Sequence, residues 1–373
     1  MRHRSVRALA ILAAAGLATA VTTSFAAGAG RHSHDGWQGY RQDVKHIFVI
    51  VLENHSQKSV IGDKYMPYLS SLATKYASAS NYYGVTHPSE PNYLAMISGS
   101  NWWLNQDNAS FMVDHTNLVD ELQAAHKTWA AYEEAMPADK TVAAWPSTST
   151  ALYANKHNPF VHFTDIANDP ARMANVKPYT SFASDLASAN TTPNFSFIVP
   201  DQCDDLHGGV YSTVAGYEST TPCPYNDAND DPADITLKRQ ADAFIEKTVG
   251  TIMGSPAWHD GQDAIFIVSD EGDFAVNPTD GNWDSTAGCC DSPVLPAGDP
   301  DISPSWPGGV YGGGLVPAVV VVNRGGKTGG YVSQTPYNHY SLLSTIETLW
   351  RLPRLAYAAD TAQVTPMTEF FSK

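Results

Sequence analysis

Four short apolar runs, each closing on polar or acidic residues, constrain the fold of this chain more than any other feature. They are 45-KHIFVIVLENHS-56, 194-NFSFIVPDQCDDLHGG-209, 263-DAIFIVSDEGD-273 and 315-LVPAVVVVNRGG-326. Brief runs of Ile, Val and Phe without alternation suit strands buried on both faces, as in a sheet covered on each side by helices. Ile47 to Leu52 reads as one such strand; the next two end at Val199 and Val268. Helix-like segments lie at 66–77, 116–126, 235–255 and 340–352. Strands alternating with helices predict an α/β fold, a mainly parallel sheet flanked by helices. The 373 residues suffice for a full core in one large domain or two small ones, and 11% aromatic residues is too rich for disorder.

In open α/β sheets, ligands gather beyond the carboxyl ends of the strands. Three runs place acid there: Glu53, then Asp201 with Asp204 and Asp205, then Asp270 with Glu271. One acid at a strand end can be a helix cap; three at one sheet edge predict a shared cation site. Glu53, Asn54, Asp270 and Glu271 offer hard oxygen ligands. These suit Ca²⁺, Mg²⁺ or Mn²⁺ and, with imidazole nearby, Zn²⁺ or Fe. Packed together without a cation, they would repel one another and take up protons.

A second stretch, 86-THPSEPNYLAMISGS-100, sets one hydroxyl between two prolines. Pro88 and Pro91 stiffen the backbone around Ser89. A cation touching that hydroxyl would lower its pKa and present it as a nucleophile. If 92–99 is helical, its N-terminus faces the same spot and favours an anion such as phosphate. Asn92 is then placed to donate to a phosphoryl oxygen, with His87 alongside.

The N-terminus reads as a signal peptide over residues 1–28. Arg2, Arg4 and Arg7 precede the apolar run Ala8 to Val21, and the small residues 24-SFAAGAG-30 follow. This predicts a secreted, extracellular protein with no stable membrane insertion. Cleavage would take the net charge from −16 to about −19, which repels nucleic acid. Export favours disulfides among Cys203, Cys223, Cys289 and Cys290. Cys203–Cys223 closes a modest loop, while Cys289–Cys290 needs a vicinal ring, so crossed pairings stay open. Segment 274–314, rich in Gly, Pro, Asp and Ser, reads as a long loop insertion. Residues 40–373 are expected to form a single catalytic domain.

The motifs VLENHS, HPSEPNYLAMISG, FIVPDQCDDLHGG, IFIVSDEGD and YNHYSLLSTIETLW, in that order, resemble the bacterial and fungal phosphoesterase family of acid phosphatases and phospholipases C. That family belongs to the alkaline phosphatase superfamily. The resemblance spans roughly residues 44–355. It implies an alkaline-phosphatase-like core and a strand-end metal site of Glu53, Asn54, Asp270 and Glu271. It also implies Ser89 as metal ligand and transiently phosphorylated nucleophile. Some relatives carry Asp where Glu271 stands. Asp205, His207 and His339 fall where the superfamily holds a second metal or the phosphate. Glu133 and Glu134 resemble a segment near the pocket. One divalent cation is expected rather than two.

The leading expectation is a secreted metal-dependent phosphoric ester hydrolase of the acid phosphatase type, with His207 or His339 assisting the leaving group. Its substrates would be small phosphate esters or phospholipid headgroups. The alternatives are a phospholipase C, and a non-catalytic secreted cation-binding or envelope interaction protein. A sulfatase ranks low, because Tyr93 stands where its motif needs Arg.

Overall fold

The computed structural model describes residues 44–137, 151–211, 222–226, 228–273, 287–293 and 312–372. All lie in the compact unit Gln42–Lys373. The expected signal peptide and most of the 274–314 insertion fall outside the described residues.

The first apolar run forms β1 (Val44–Leu52), at the centre of an eight-stranded sheet. In chain order the others are β2 (Ala77–Ala79), β3 (Tyr82–Tyr83), β4 (Trp129–Glu133), β5 (Val176–Pro178), β6 (Phe195–Val199), β7 (Gln262–Ser269), β8 (Ala318–Val322), β9 (Tyr331–Ser333) and β10 (Tyr337–Asn338). The sheet order is β5-β4-β6-β1-β7-β8-β2-β9. Strand β1 pairs in parallel with both β6 and β7. Within this sheet only β8 runs against the rest, antiparallel to β7 and β2. A small second sheet pairs β3 with β10 in parallel.

Alternation along β1 explains its unbroken apolar sequence. Ile47, Val49 and Val51 enter one core layer, and Phe48, Ile50 and Leu52 the other. The first layer is covered by the helices Ser89–Ser98 and His339–Trp350, which supply Tyr93, Leu94, Ile97, Leu342 and Ile346. The second is covered by Pro67–Lys75 and Pro232–Gly254, through Leu69, Leu72, Phe244 and Ile245. Each such side chain contributes about 1.5–3 kcal/mol when fully buried. Because β1, β6 and β7 are parallel, Glu53, Asp201 and Asp270 all emerge at one edge.

Two helix starts matter for the site. The helix expected from residue 92 begins at Ser89, so the hydroxyl sits on its first residue. All ten of its residues are buried, and Gly99, at φ 73°, closes it. The other helix begins at His339, capped by Asn338, whose Oδ1 accepts from Tyr340 N at 3.0 Å and Ser341 N at 3.2 Å.

The disulfides are Cys203–Cys223 and the vicinal Cys289–Cys290, so crossed pairings are excluded. The segment expected as a long loop insertion has a fixed end. Gly313 N donates to Gly84 O at 3.0 Å and Gly272 N to Gly313 O at 2.7 Å. The Gly312–Gly314 strip is wedged between the approach to Ser89 and the acidic loop.

Candidate active site

Strand ends β1 and β7 bring Glu53, Asp270 and Glu271 together, with a ligand oxygen from each within 4.8 Å of the others. The Ser89 helix delivers its hydroxyl between them: Oγ lies 3.0 Å from Glu53 Oε2 and 2.9 Å from Glu271 Oε1. One hydroxyl proton cannot satisfy two carboxylates. Burial pushes the Glu53 carboxyl well up, aided by the Asp270 charge. Burial, and then Glu271, push Asp270 up to about 8. Asn54, in the left-handed region at φ 45°, donates its backbone N–H to Asp270 Oδ1 at 3.3 Å. Glu53 Oε1, Asn54 Oδ1, Asp270 Oδ2 and Asp205 Oδ2 are buried without a hydrogen bond in the structure. The carboxylate oxygens of Glu53, Asp270 and Glu271, gathered at two strand ends, are the donor set a hard divalent cation takes, so the residues present fit such an ion. Lone pairs left facing one another are otherwise hard to account for in a packed interior.

The remaining expected residues divide. His87, one residue before the cis Pro88, places Nδ1 on Glu271 Oε2 and so supports the acid directly. Asp205 is fully buried: Oδ1 accepts from His207 N at 2.7 Å, and Oδ2 lies 3.5 Å from His157 Nδ1. His207 is half-buried with Nδ1 on Gly208 O at 2.9 Å, held neutral down to about 3 by burial and the Lys156 charge.

Asn92, expected to donate to a phosphoryl oxygen, turns its amide to its own loop. Its Oδ1 accepts from Val85 N and Thr86 N at 2.9 and 3.0 Å, and its Nδ2 donates to Thr86 O and Pro88 O at 2.8 and 3.1 Å. The amide staples the loop before Ser89. His339 likewise turns both ring nitrogens to protein atoms: Nε2 meets Asp270 O at 2.5 Å and Nδ1 meets Tyr82 OH at 3.0 Å. Both ring nitrogens are engaged, and burial pushes its pKa down to about 4. The helix N-terminus offers fewer amides than expected, since Glu90 N donates to Asp107 Oδ1 at 3.1 Å and Pro91 has no N–H.

The strand-end acids also split into two groups. Asp201 and Asp204 turn away from Ser89 and join Glu134 in a second cluster. This lines a cavity of about 710 Å³ with Tyr179, Phe182 and Lys247. Burial and the Asp201 charge push Glu134 up to about 9. Glu133, one step along β4, is fully buried, and burial holds its carboxyl well above the usual range.

The structure adds two residues from 155-NKHNPF-160. His157 stacks on Tyr93 at 5.1 Å, with Nε2 3.1 Å from Glu53 Oε1, close but out of line for a hydrogen bond. Lys156 is buried with Nζ 2.8 Å from Asp107 Oδ2. Burial opposes its charge, yet Asp107 and Glu53 hold its pKa above the usual lysine value. The one signal in the sequence was a Lys-His pair inside an otherwise uncharged stretch.

A parallel-centred sheet with a strand-end acidic site and a helix-borne hydroxyl defines a class. The fold is that of the alkaline phosphatase superfamily. A superfamily member from Vibrio parahaemolyticus matches with a TM-score of 0.50 and 10% identity, over 83% of this chain and 67% of that one. Within that class, the chain belongs to the Phosphoesterase family, which matches residues 63–353. A probable acid phosphatase of Kluyveromyces lactis is 34% identical over 167 residues, 44% of this chain and 39% of that protein. An acid phosphatase of Aspergillus fumigatus is 31% identical over 48% of this chain and 40% of its own length. The chain thus spans about two fifths of these fungal relatives. A phosphatidylinositol-3-phosphatase of Mycobacterium tuberculosis is 24% identical over 86% of this chain and 81% of that protein. Among the described residues no helix is long and apolar enough to cross a membrane.

Proposed function

We propose that this chain is an exported, metal-dependent phosphomonoesterase with Ser89 as nucleophile. The observation that carries the reading is the Ser89 hydroxyl held between Glu53 and Glu271 on the first residue of a fully buried helix. Glu53, Asn54, Asp270 and Glu271, with Ser89 Oγ, would hold one divalent cation. Bound there, it would acidify the hydroxyl and neutralise the non-bridging phosphoryl oxygens. Ser89 Oγ attacks phosphorus in line, the ester bond breaks, and the alcohol leaves with a proton. Water then cleaves the phosphoserine and restores the hydroxyl. His207, neutral above about pH 3, would take the Ser89 proton and return it to the departing alcohol. Lys156 adds a fixed positive charge behind the carboxylates. The basic and apolar N-terminal segment supports export.

Phospholipid headgroup monoesters are the second reading, favoured by the mycobacterial relative and by Trp103. That ring is 77% exposed on a loop fastened beside the nucleophile through Asp107 and Asn108 to Glu90. Turnover of p-nitrophenyl phosphate, p-nitrophenyl phosphorylcholine and a short-chain phosphatidylinositol 3-phosphate separates these readings from phospholipase C. Ser89→Ala should lose at least about 10³-fold in kcat while keeping its Tm. A folded variant that retains a tenth of the turnover would remove Ser89 from the mechanism. A wild type inactive on all three esters would favour the non-catalytic alternative.

A further inference from the structure

The geometry points to a positioning arm behind Asp270, running from the Cys289–Cys290 turn through Asn338 to His339. It rests on the cation site proposed above and assigns a positioning task to residues outside the acidic cluster.

The arm begins with a hydrogen bond that fixes a tautomer. Asp270 O can only accept, so His339 Nε2, 2.5 Å away, carries the proton. His339 Nδ1 must then accept from Tyr82 OH at 3.0 Å. The imidazole therefore holds the backbone of Asp270 from behind, while the carboxylate of the same residue faces Glu53 and Glu271. Outer-shell hydrogen bonds to a ligating side chain set its orientation, and losing one typically weakens metal affinity roughly 10- to 100-fold; a bond to the ligand residue's own carbonyl acts on the same orientation through the backbone.

His339 is in turn fixed by the residue before it. Asn338 Oδ1 caps the helix. Capping needs only that acceptor, yet Nδ2 also donates to two successive carbonyls, Cys289 O and Cys290 O, both at 3.0 Å. Those carbonyls converge because the turn is sharply folded. Cys290 and Asp291 both lie in the left-handed region, at φ 59° and 65°. Two consecutive non-glycine residues there are costly and persist only where the surroundings enforce them. The Cys289–Cys290 cross-link and the Ser292 N to Cys289 O bond at 3.0 Å supply that enforcement.

The turn is tied at its other end as well. Ala287 O accepts from Gly314 N at 2.9 Å, and the adjoining glycine strip is bonded to Gly84 and Gly272, next to the Ser89 and Glu271 loops. The disulfide turn is thereby connected by hydrogen bonds to both sides of the site.

The test is titration of Mn²⁺, and separately Ca²⁺, into the full-length chain by calorimetry, with steady-state kinetics on the same samples. The variants are Asn338→Ser, the double Cys289→Ala/Cys290→Ala, His339→Ala and His339→Gln. Serine keeps a capping oxygen but loses both donors to the turn; glutamine can still donate to Asp270 O. Expected is a Kd for the cation roughly tenfold weaker in Asn338→Ser, the cysteine pair and His339→Ala, with His339→Gln closer to wild type. Saturating cation should return kcat to within about threefold, which a merely unstable variant would not show. Wild-type cation affinity in Asn338→Ser and the cysteine pair overturns the arm. If the cysteine pair fails to fold, Asn338→Ser decides alone. A wild type that binds neither cation is titrated with Mg²⁺, Zn²⁺ and Fe²⁺ in turn, and binding of none removes the cation site and the arm together.

Discussion

Lys156 and Asp107 show how much a single residue can depend on context. Their pair is almost fully buried, so removing one partner strands a charge. Lys156→Met should lower unfolding stability by about 3 kcal/mol in urea titrations and kcat/KM by at least about tenfold. Adding Asp107→Leu should recover part of the stability but not the activity; recovery of both would make Lys156 purely structural. Protonation follows the same burial. In the metal-free chain Asp270 titrates near 8, above the ordinary aspartate value of 3.8. Between those pH values the folded state holds a proton that the unfolded state has lost, so stability falls as pH rises through the window. His339, pushed down to about 4 from 6.5, acts on the acid side: its stabilisation is full above 6.5 and lost as pH falls toward 4. A cation at the site displaces the carboxyl protons. The Tm gain from Mn²⁺ in scanning calorimetry should therefore be larger at pH 8 than at pH 5. An equal gain would mean that Asp270 is not a ligand.

Among the elements, the glycine strip is the most demanding. A Cβ on Gly313 would lie 2.6 Å from Thr86 O and 2.7 Å from Gly84 C, both backbone atoms that cannot swing aside. Gly313→Ala should destabilise the fold by about 1–3 kcal/mol. It should also lower kcat more than Gly→Ala at the exposed helical Gly250, where nothing lies within 4 Å. Equal kinetics for the two variants would show that the strip does not set the spacing of the loops. The Ser89 helix reads in sequence as apolar from 93 to 97, and its burial follows from that. Its start three residues before the expected one does not, since a proline at 91 is as compatible with a helix's first turn as with a preceding loop.

At the scale of the whole molecule, the parallel centre of the sheet sends β1, β6 and β7 outward at one edge, and the acids follow. Dialysis against a strong chelator should abolish ester hydrolysis, and a divalent cation should restore it. Full activity in chain shown by elemental analysis to be metal-free would end the cation reading. The two acidic clusters should respond differently: Glu134→Gln should leave p-nitrophenyl phosphate turnover within about threefold, whereas Glu53→Gln should lower it at least about 100-fold.

The sequence by itself determined the sheet, because strands buried on both faces must be continuously apolar, and it placed Glu53, Asn54, Ser89, Asp270 and Glu271 where strands or a helix begin and end. Such local signals survive in one dimension. Only the tertiary structure decided which way each side chain turns: Asn92 inward to its own loop, His339 to a backbone carbonyl, Asp201 and Asp204 to a separate cavity. It also brought in Lys156 and His157, which no strand end announces. The reason is physical. Burial makes a strand visible as composition, but a hydrogen-bond partner 69 residues away, as Asp270 is from His339, leaves no pattern in either stretch.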